Sequence, residues 1–364
     1  MRPLFSLAFS VCISAQTTVM LPARDGVKLA TDVYLPAQSA ARVPAIVERT
    51  PYNKNSVGRG LVDFYVSRGY AVVIQDVRGR YASEGRWRPI RDDGADGSDL
   101  LKWIGEQPWS NGKVGSMGTS YGGATQHALV IANAPHLAAM VPVDAMSDYG
   151  RYGIRHNGAF ELRWFNWVLT LGNATGTRAG ATGLMQSPDG RAAALRASSY
   201  PAAASALEEM GVNIREYVRM LPLFPGTTAL KFAPDYETWL IEAMRHSDYD
   251  DFWAGMGSSV VDHIAEYKDI PVYHVTGWYD SWGTPVVNLN YVELSKGKKS
   301  PQRLIIGPWT HGGQTQTFSG IAEFGPDAAI DLNGLRLRWY DRWLKGVENG
   351  VEKEPPVRIF VMGS

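Results

Sequence analysis

The stretch KVGSMGTSYGGAT, Lys113 to Thr125, decides how the chain is read. Its first half has strand character, and Ala124, Ala128, Leu129 and Ile131 after it read as a helix. Between them, Gly118-Thr119-Ser120-Tyr121-Gly122 matches G-x-S-x-G. In that pattern a serine sits on a tight strand-to-helix turn, where side chains at the two flanking positions would collide with neighbouring backbone. The helix start also aims free N–H groups and a positive dipole end at the same point. A serine at such a junction is otherwise an ordinary turn residue, so the surrounding pattern has to decide whether Ser120 is a nucleophile.

Working outward, the pattern alternates. Val19 to Pro36 reads as a hairpin around Asp25-Gly26. Pro44 to Tyr52 reads as a strand ending in a loop, and Tyr70 to Gly79 is a continuous apolar run, as in a strand buried on both faces. Asp99 to Gln107 carries Leu100, Leu101 and Ile104 on one helical face, and Leu137 to Ala145 is a strand again. Alternating strands and helices predict an α/β fold with a mostly parallel sheet covered on both sides. The rhythm breaks after Asp148. Residues 149–251 read as an inserted helical cap rich in Ala and aromatics, including a helix over Ala159 to Leu171. Strands return at Ile270 to Trp278 and Arg303 to Trp309, followed by a helix from Leu335 to Gly346.

The chain has 364 residues, enough for one large core with an inserted subdomain. Thirty-six basic and 36 acidic side chains leave no net charge, so electrostatics provide no reason to bind nucleic acid or an anionic membrane. No segment is apolar enough to span a bilayer. The opening MRPLFSLAFSVCISAQ, with Arg2, an apolar run and Ala15 as cleavage point, reads as a secretory signal peptide over residues 1–15, which predicts a secreted or periplasmic protein. Cleavage there would remove Cys12, the one cysteine, and with it any thiol nucleophile or disulfide.

A serine hydroxyl needs a base, and the base needs an orienting acid. In α/β-hydrolases these follow in the order Ser, Asp or Glu, His, each on a loop at the C-terminal end of a strand. VYHVTGWYDSW places Asp280 past one strand and LIIGPWTHGG places His311 past the next, so Ser120, Asp280 and His311 stand in the required order. The developing oxyanion needs donors. The backbone N–H of Tyr121 is one. A phenol can donate, so Tyr52 is a candidate second donor, with a packing role as its alternative. Trp164, Trp167 and Trp282 are candidate pocket walls, with Trp278, Tyr279 and Trp309 nearby in sequence and core packing as the alternative for all. His274 reads as a satisfied core residue, and His127, His136, His156, His246 and His263 show no metal spacing. The chemistry needs no metal and no organic cofactor. Asp76 and Arg78 read as loop braces, and Asp248, Asp250 and Asp251 as a solvated surface.

RDGVKLATDVYLP, RTPYNK, QDVRGRYASEG, QPWSNGKVGSMGTSYGG, GWYD and IGPWTHGG occur in this order, and together they resemble the cocaine esterase / X-Pro dipeptidyl peptidase family of serine hydrolases. The resemblance runs from Val19 onward with a weaker middle. It implies the α/β-hydrolase fold, a Ser120–Asp280–His311 triad, Tyr52 as oxyanion donor, and a helical cap over the site. It also implies a C-terminal jelly roll, of which residues 353–364 would be the first strand. The expected organisation is a hydrolase core over residues 16–148 and 252–352 interrupted by the cap. Ser281, Trp282 and Gly283 after Asp280 lack the extra carboxylates of the related α-amino-acid ester hydrolases. The expected function is a carboxylesterase of the cocaine esterase type acting on a small ester, amide or short peptide. An X-Pro dipeptidyl peptidase, a β-lactam or α-amino-acid ester acylase, and an inactive fragment or non-catalytic binding module are the alternatives.

Overall fold

The structure, a computed structural model, describes residues 15–37, 41–170 and 214–363. The expected signal segment up to residue 14 and the middle of the expected cap, residues 171–213, lie outside the described residues.

Nine strands form one sheet: β1 (Ala15–Pro22), β2 (Lys28–Leu35), β3 (Val43–Thr50), β4 (Ala71–Asp76), β5 (Ser110–Thr119), β6 (Leu137–Val143), β7 (Val272–Gly277), β8 (Gln302–Gly307) and β9 (Val357–Ile359). Their spatial order is β1-β2-β4-β3-β5-β6-β7-β8-β9. β1 and β2 pair antiparallel around Gly26, whose φ of 87° suits the tight turn. β2 meets β4 antiparallel, and every pairing from β4 onward is parallel. All six residues of β4 are buried, as its unbroken apolar run requires. Truncating one of them, such as Ile74→Ala, costs about 2–5 kcal/mol through lost burial and the cavity left behind.

Helices cover both faces. α1 (Arg59–Val66) and α6 (Leu332–Lys345) pack Val62, Tyr65, Trp339 and Tyr340 on one side. α2 (Asp93–Glu106) and α3 (Tyr121–Ile131) pack Leu100, Leu101, Ile104 and Leu129 on the other. α2 begins six residues before the expected Asp99, because its first turns carry no apolar stripe. They hold Gly94 and Gly97, and a Cβ on Gly97 would lie 2.3 Å from a Leu129 methyl, so small residues let α2 and α3 approach closely. α6 ends on Gly346 at φ 75°, the left-handed cap that glycine favours.

In the described part of the insertion, helix α4 (Arg163–Thr170) starts later than expected. Ala159–Phe160 instead pairs with Arg155–His156 in a short hairpin. α5 (Pro234–Arg245) follows, and Trp164, Phe165, Val168, Tyr236, Trp239 and Leu240 join Trp87, Tyr121 and Trp282 in one apolar cluster. Within the C-terminal stretch expected to be the first strand of a jelly roll, Val357–Ile359 pairs in parallel with β8 as β9. An open strand edge offers unpaired N–H and C=O groups, and β9 satisfies them.

Candidate active site

The C-terminal ends of β3, β5, β7 and β8 deliver Tyr52, Ser120, Asp280 and His311 to one end of the sheet. Ser120 stands between β5 and α3 at φ 61°, ψ −120°, a strained backbone state for a residue with a side chain. The turn is held by the Ser120 N–H donating to Val143 O at 2.9 Å, and by Ser120 O accepting from the Gly123 and Ala124 N–H groups at 2.9 and 3.0 Å. The expectation that both flanking glycines avoid backbone collisions holds for Gly118 alone. It sits at φ 147°, and a Cβ there would meet Gly122 O at 2.6 Å. A Cβ on Gly122 would come no closer than 3.5 Å to Arg49 O, an ordinary contact. The crowded position is Gly123, where a Cβ would lie 2.5 Å from that of Ala145.

Asp280 and His311 meet because the tips of β7 and β8 are tied together. The Trp278 N–H donates to Gly307 O at 2.9 Å and the Tyr279 N–H to Trp309 O at 3.0 Å. His311 Nδ1 then lies 3.0 Å from Asp280 Oδ2, while Asp280 Oδ1 accepts from the Trp282 N–H at 3.2 Å. Asp280 is buried, whereas the imidazole is 41 % exposed toward the cavity. Desolvation pushes the His311 imidazole down, but the hydrogen bond and charge of Asp280, helped by Asp144, outweigh it and hold the imidazole above its ordinary value, against Arg163.

Two tyrosines flank Ser120. The first-turn N–H of Tyr121 has no acceptor within α3. Its phenol is sequestered, donating to Asp93 Oδ2 at 2.8 Å and accepting from the Ile90 N–H at 2.8 Å. Arg49 holds Asp93 in turn at 2.6 Å, and burial pushes that carboxyl up to about 6. Tyr52 sits on a turn pinned by Lys54, whose N–H donates to Asp76 at 2.7 Å and whose ammonium pairs with buried Asp32 at 2.8 Å. The Tyr52 phenol accepts from the Trp167 indole at 3.3 Å and interacts with the Ser120 side chain, and burial pushes it up.

These groups open into a cavity of about 830 Å³. Trp164, Trp167 and Trp282 all line it. Trp164 stacks on Trp282 with centroids 5.8 Å apart, and Trp282 presents its edge to His311 at 5.2 Å. Trp309 is instead core, donating to Ala328 O, and Trp278 and Tyr279 are exposed away from the cavity. Tyr149, Trp239 and Met256 also line it and were missed, because nothing in a helical aromatic pattern separates a wall from a core. Glu48 and Arg336 line it too, the first on strand β3 after an apolar run and the second in a remote helix.

Asp76 and Arg78 brace loops, Arg78 by pairing with Asp25 and Asp96 at 2.7 and 2.6 Å. Asp248, Asp250 and Asp251 are exposed, and Asp250 caps a helical turn at Phe252 N. His274 is buried in β7 as a core residue, with the Gln302 side chain beside it. Burial pushes it down to about 4. Among the described residues no helix is long and apolar enough to cross a membrane.

The chain is 31 % identical to a cocaine esterase of Rhodococcus sp. (strain MB1 Bresler) over 96 % of its own length, and spans 58 % of that relative. Among solved structures it is similar to an aminopeptidase from a marine sediment Thaumarchaeota archaeon (TM-score 0.67, 23 % identity, all of this chain and 59 % of that one). It is also similar to an α-amino acid ester hydrolase (TM-score 0.66, 24 % identity, 99 % of this chain and 58 % of that one). These likenesses show the α/β-hydrolase fold. The family model for X-Pro dipeptidyl-peptidases matches residues 25–313, a span that contains all four of Tyr52, Ser120, Asp280 and His311, and the chain belongs to that S15 family.

Proposed function

We propose that this chain is a serine hydrolase that cleaves an ester or amide acyl bond, a carboxylesterase of the cocaine esterase type. The observation that carries the reading is the convergence of a strained Ser120 and an Asp280-bound His311 on one aromatic cavity. Ser120 attacks the carbonyl carbon while His311 takes its proton. Asp280 keeps Nδ1 occupied, so that Nε2 is the working nitrogen. The Tyr52 phenol and the Tyr121 N–H donate to the oxyanion. His311 returns the proton to the leaving group, and water, deprotonated by the same imidazole, releases the acyl-enzyme.

Fluorophosphonate labelling of the chain, with the adduct located by mass spectrometry, tests this. An adduct on Ser120 that disappears in His311→Ala supports the reading. No adduct on a chain that melts cooperatively overturns it.

The cavity favours a simple ester over a substrate with a free amino terminus. Glu48 is a carboxylate on its wall, but burial pushes its carboxyl up, against Arg336 on the same cavity lining, so it does not offer a free anion to an ammonium. Faster turnover of Ala-Pro-anilide than of a phenyl ester would reverse this assignment. The signal-like opening segment supports a location outside the cytoplasm, and a mature N-terminus still at Met1 would refute that reading.

A further inference from the structure

The mechanism above uses one acid, yet two reach the histidine. Asp144 is the first residue after β6, and β6 is the sheet neighbour of β7, which delivers Asp280. A carboxylate oxygen of Asp144, one of Asp280 and a ring nitrogen of His311 all lie within 4.8 Å of one another. Asp144 is fully buried, at φ 46°. Its Oδ2 accepts from the Gly312 N–H at 2.7 Å and from the Gln314 side-chain amide at 2.8 Å, so it grips the turn that carries His311. Its Oδ1 is buried with no hydrogen-bond partner among the described residues.

A loop staple alone does not call for an acid here. An asparagine oxygen would accept the same two bonds and would escape the repulsion of a second carboxylate in a buried site. Burying an acid beside another acid is a cost, and such costs concentrate where a charge has a task. The cation that forms nearby is the imidazolium of His311. We propose that Asp144 is a second acid of His311, a positioning residue that anchors the histidine turn and adds its charge to that of Asp280 when the imidazole is protonated. No proton passes from His311 to either acid. The groups facing this cluster are Asp280 and His311 themselves and Arg163, which opposes imidazole protonation. Burial, and then the charge of Asp280, pushes the Asp144 carboxyl up to about 7, while the His311 charge and the bonds from Gly312 and Gln314 favour its ionised form.

The inference rests on the proposed hydrolase reading, but its test needs no turnover. NMR titration of the His311 ring in the full chain, assigned with His311→Gln, reads the imidazole directly. Asp144→Asn keeps both hydrogen bonds and removes the charge, so the His311 midpoint should fall by about one pH unit. In Asp280→Asn the midpoint should stay above that of the Asp144→Asn/Asp280→Asn double variant. An unchanged midpoint in folded Asp144→Asn overturns the proposal. If that variant does not fold, the ¹³C carboxyl resonance of Asp144 in the unsubstituted chain decides. A carboxylate shift while the imidazole is protonated, or a step near neutral pH, supports the proposal, and the shift of a protonated acid throughout about pH 5 to 9 overturns it. Loss of fluorophosphonate labelling with the His311 shift intact would refute the hydrolase reading and leave the Asp144–His311 coupling standing.

Discussion

Tyr52→Phe removes one oxygen and keeps the ring. That oxygen has two neighbours, the Trp167 indole at 3.3 Å and the Ser120 side chain. The ring packs against the cap cluster and is untouched by the change. The indole bond is long and neutral at a half-buried site, so its loss should cost less than about 1 kcal/mol of stability. Losing one oxyanion donor should cost about 10²- to 10³-fold in kcat, or ~2.7–4 kcal/mol at the transition state. The bond to the oxyanion forms only in the transition state, so KM should hold while kcat falls. Steady-state hydrolysis of a p-nitrophenyl ester, paired with a thermal melt, separates the two effects. A variant that keeps kcat within about fivefold of the parent would refute the donor assignment. A large fall in melting temperature with kcat intact would mean that the phenol is a packing element.

Ser120→Gly should abolish ester hydrolysis and raise stability by about 1 kcal/mol in a denaturant melt, because glycine tolerates φ 61°; a destabilised variant would mean the elbow is unstrained. Gly122→Ala should fold normally and Gly123→Ala should melt markedly lower, since only the second Cβ has no room, and equal melts would contradict the packing. Lys54→Met should cost about 3 kcal/mol by removing the cation that pairs with buried Asp32, which keeps neutral partners such as the Thr18 hydroxyl and Gln16 amide; a loss under ~1 kcal/mol would mean the pair contributes little. The raised His311 value sets the pH behaviour. kcat/KM should fall as pH drops through a midpoint above the ordinary 6.5, while the stability that imidazolium pairing contributes is present below 6.5 and lost as pH rises through that midpoint. An acid limb below 6.5 would exclude His311 as the base.

Much of the fold was legible because its signals are local. The buried run of β4, the turn at Gly26 and the strand–Ser120–helix junction each depend on residues close in sequence. The order of Ser120, Asp280 and His311 was also legible, since strand ends can be located without knowing which strands pair. Less was legible where one pattern serves two ends. Trp164, Trp167, Trp282 and Trp309 are alike in sequence, yet three line a cavity and one fills the core.

Local pattern in the chain sets most of the sheet's strands and the chemistry of their tips. Hydrophobic period and turn residues are set by nearest neighbours along the chain, and a serine, an aspartate and a histidine keep their reactivity wherever they lie. Only the tertiary structure decided which tips are adjacent. The β6–β7–β8 order brings Asp144, 136 residues before Asp280 in number, to the same imidazole. The close approach of α3 to the β6 exit makes Gly123 the crowded glycine, and the edge of β8 recruits Val357–Ile359 into the sheet. Each outcome depends on distances between segments far apart in the chain, and packing, which no local pattern encodes, sets those distances.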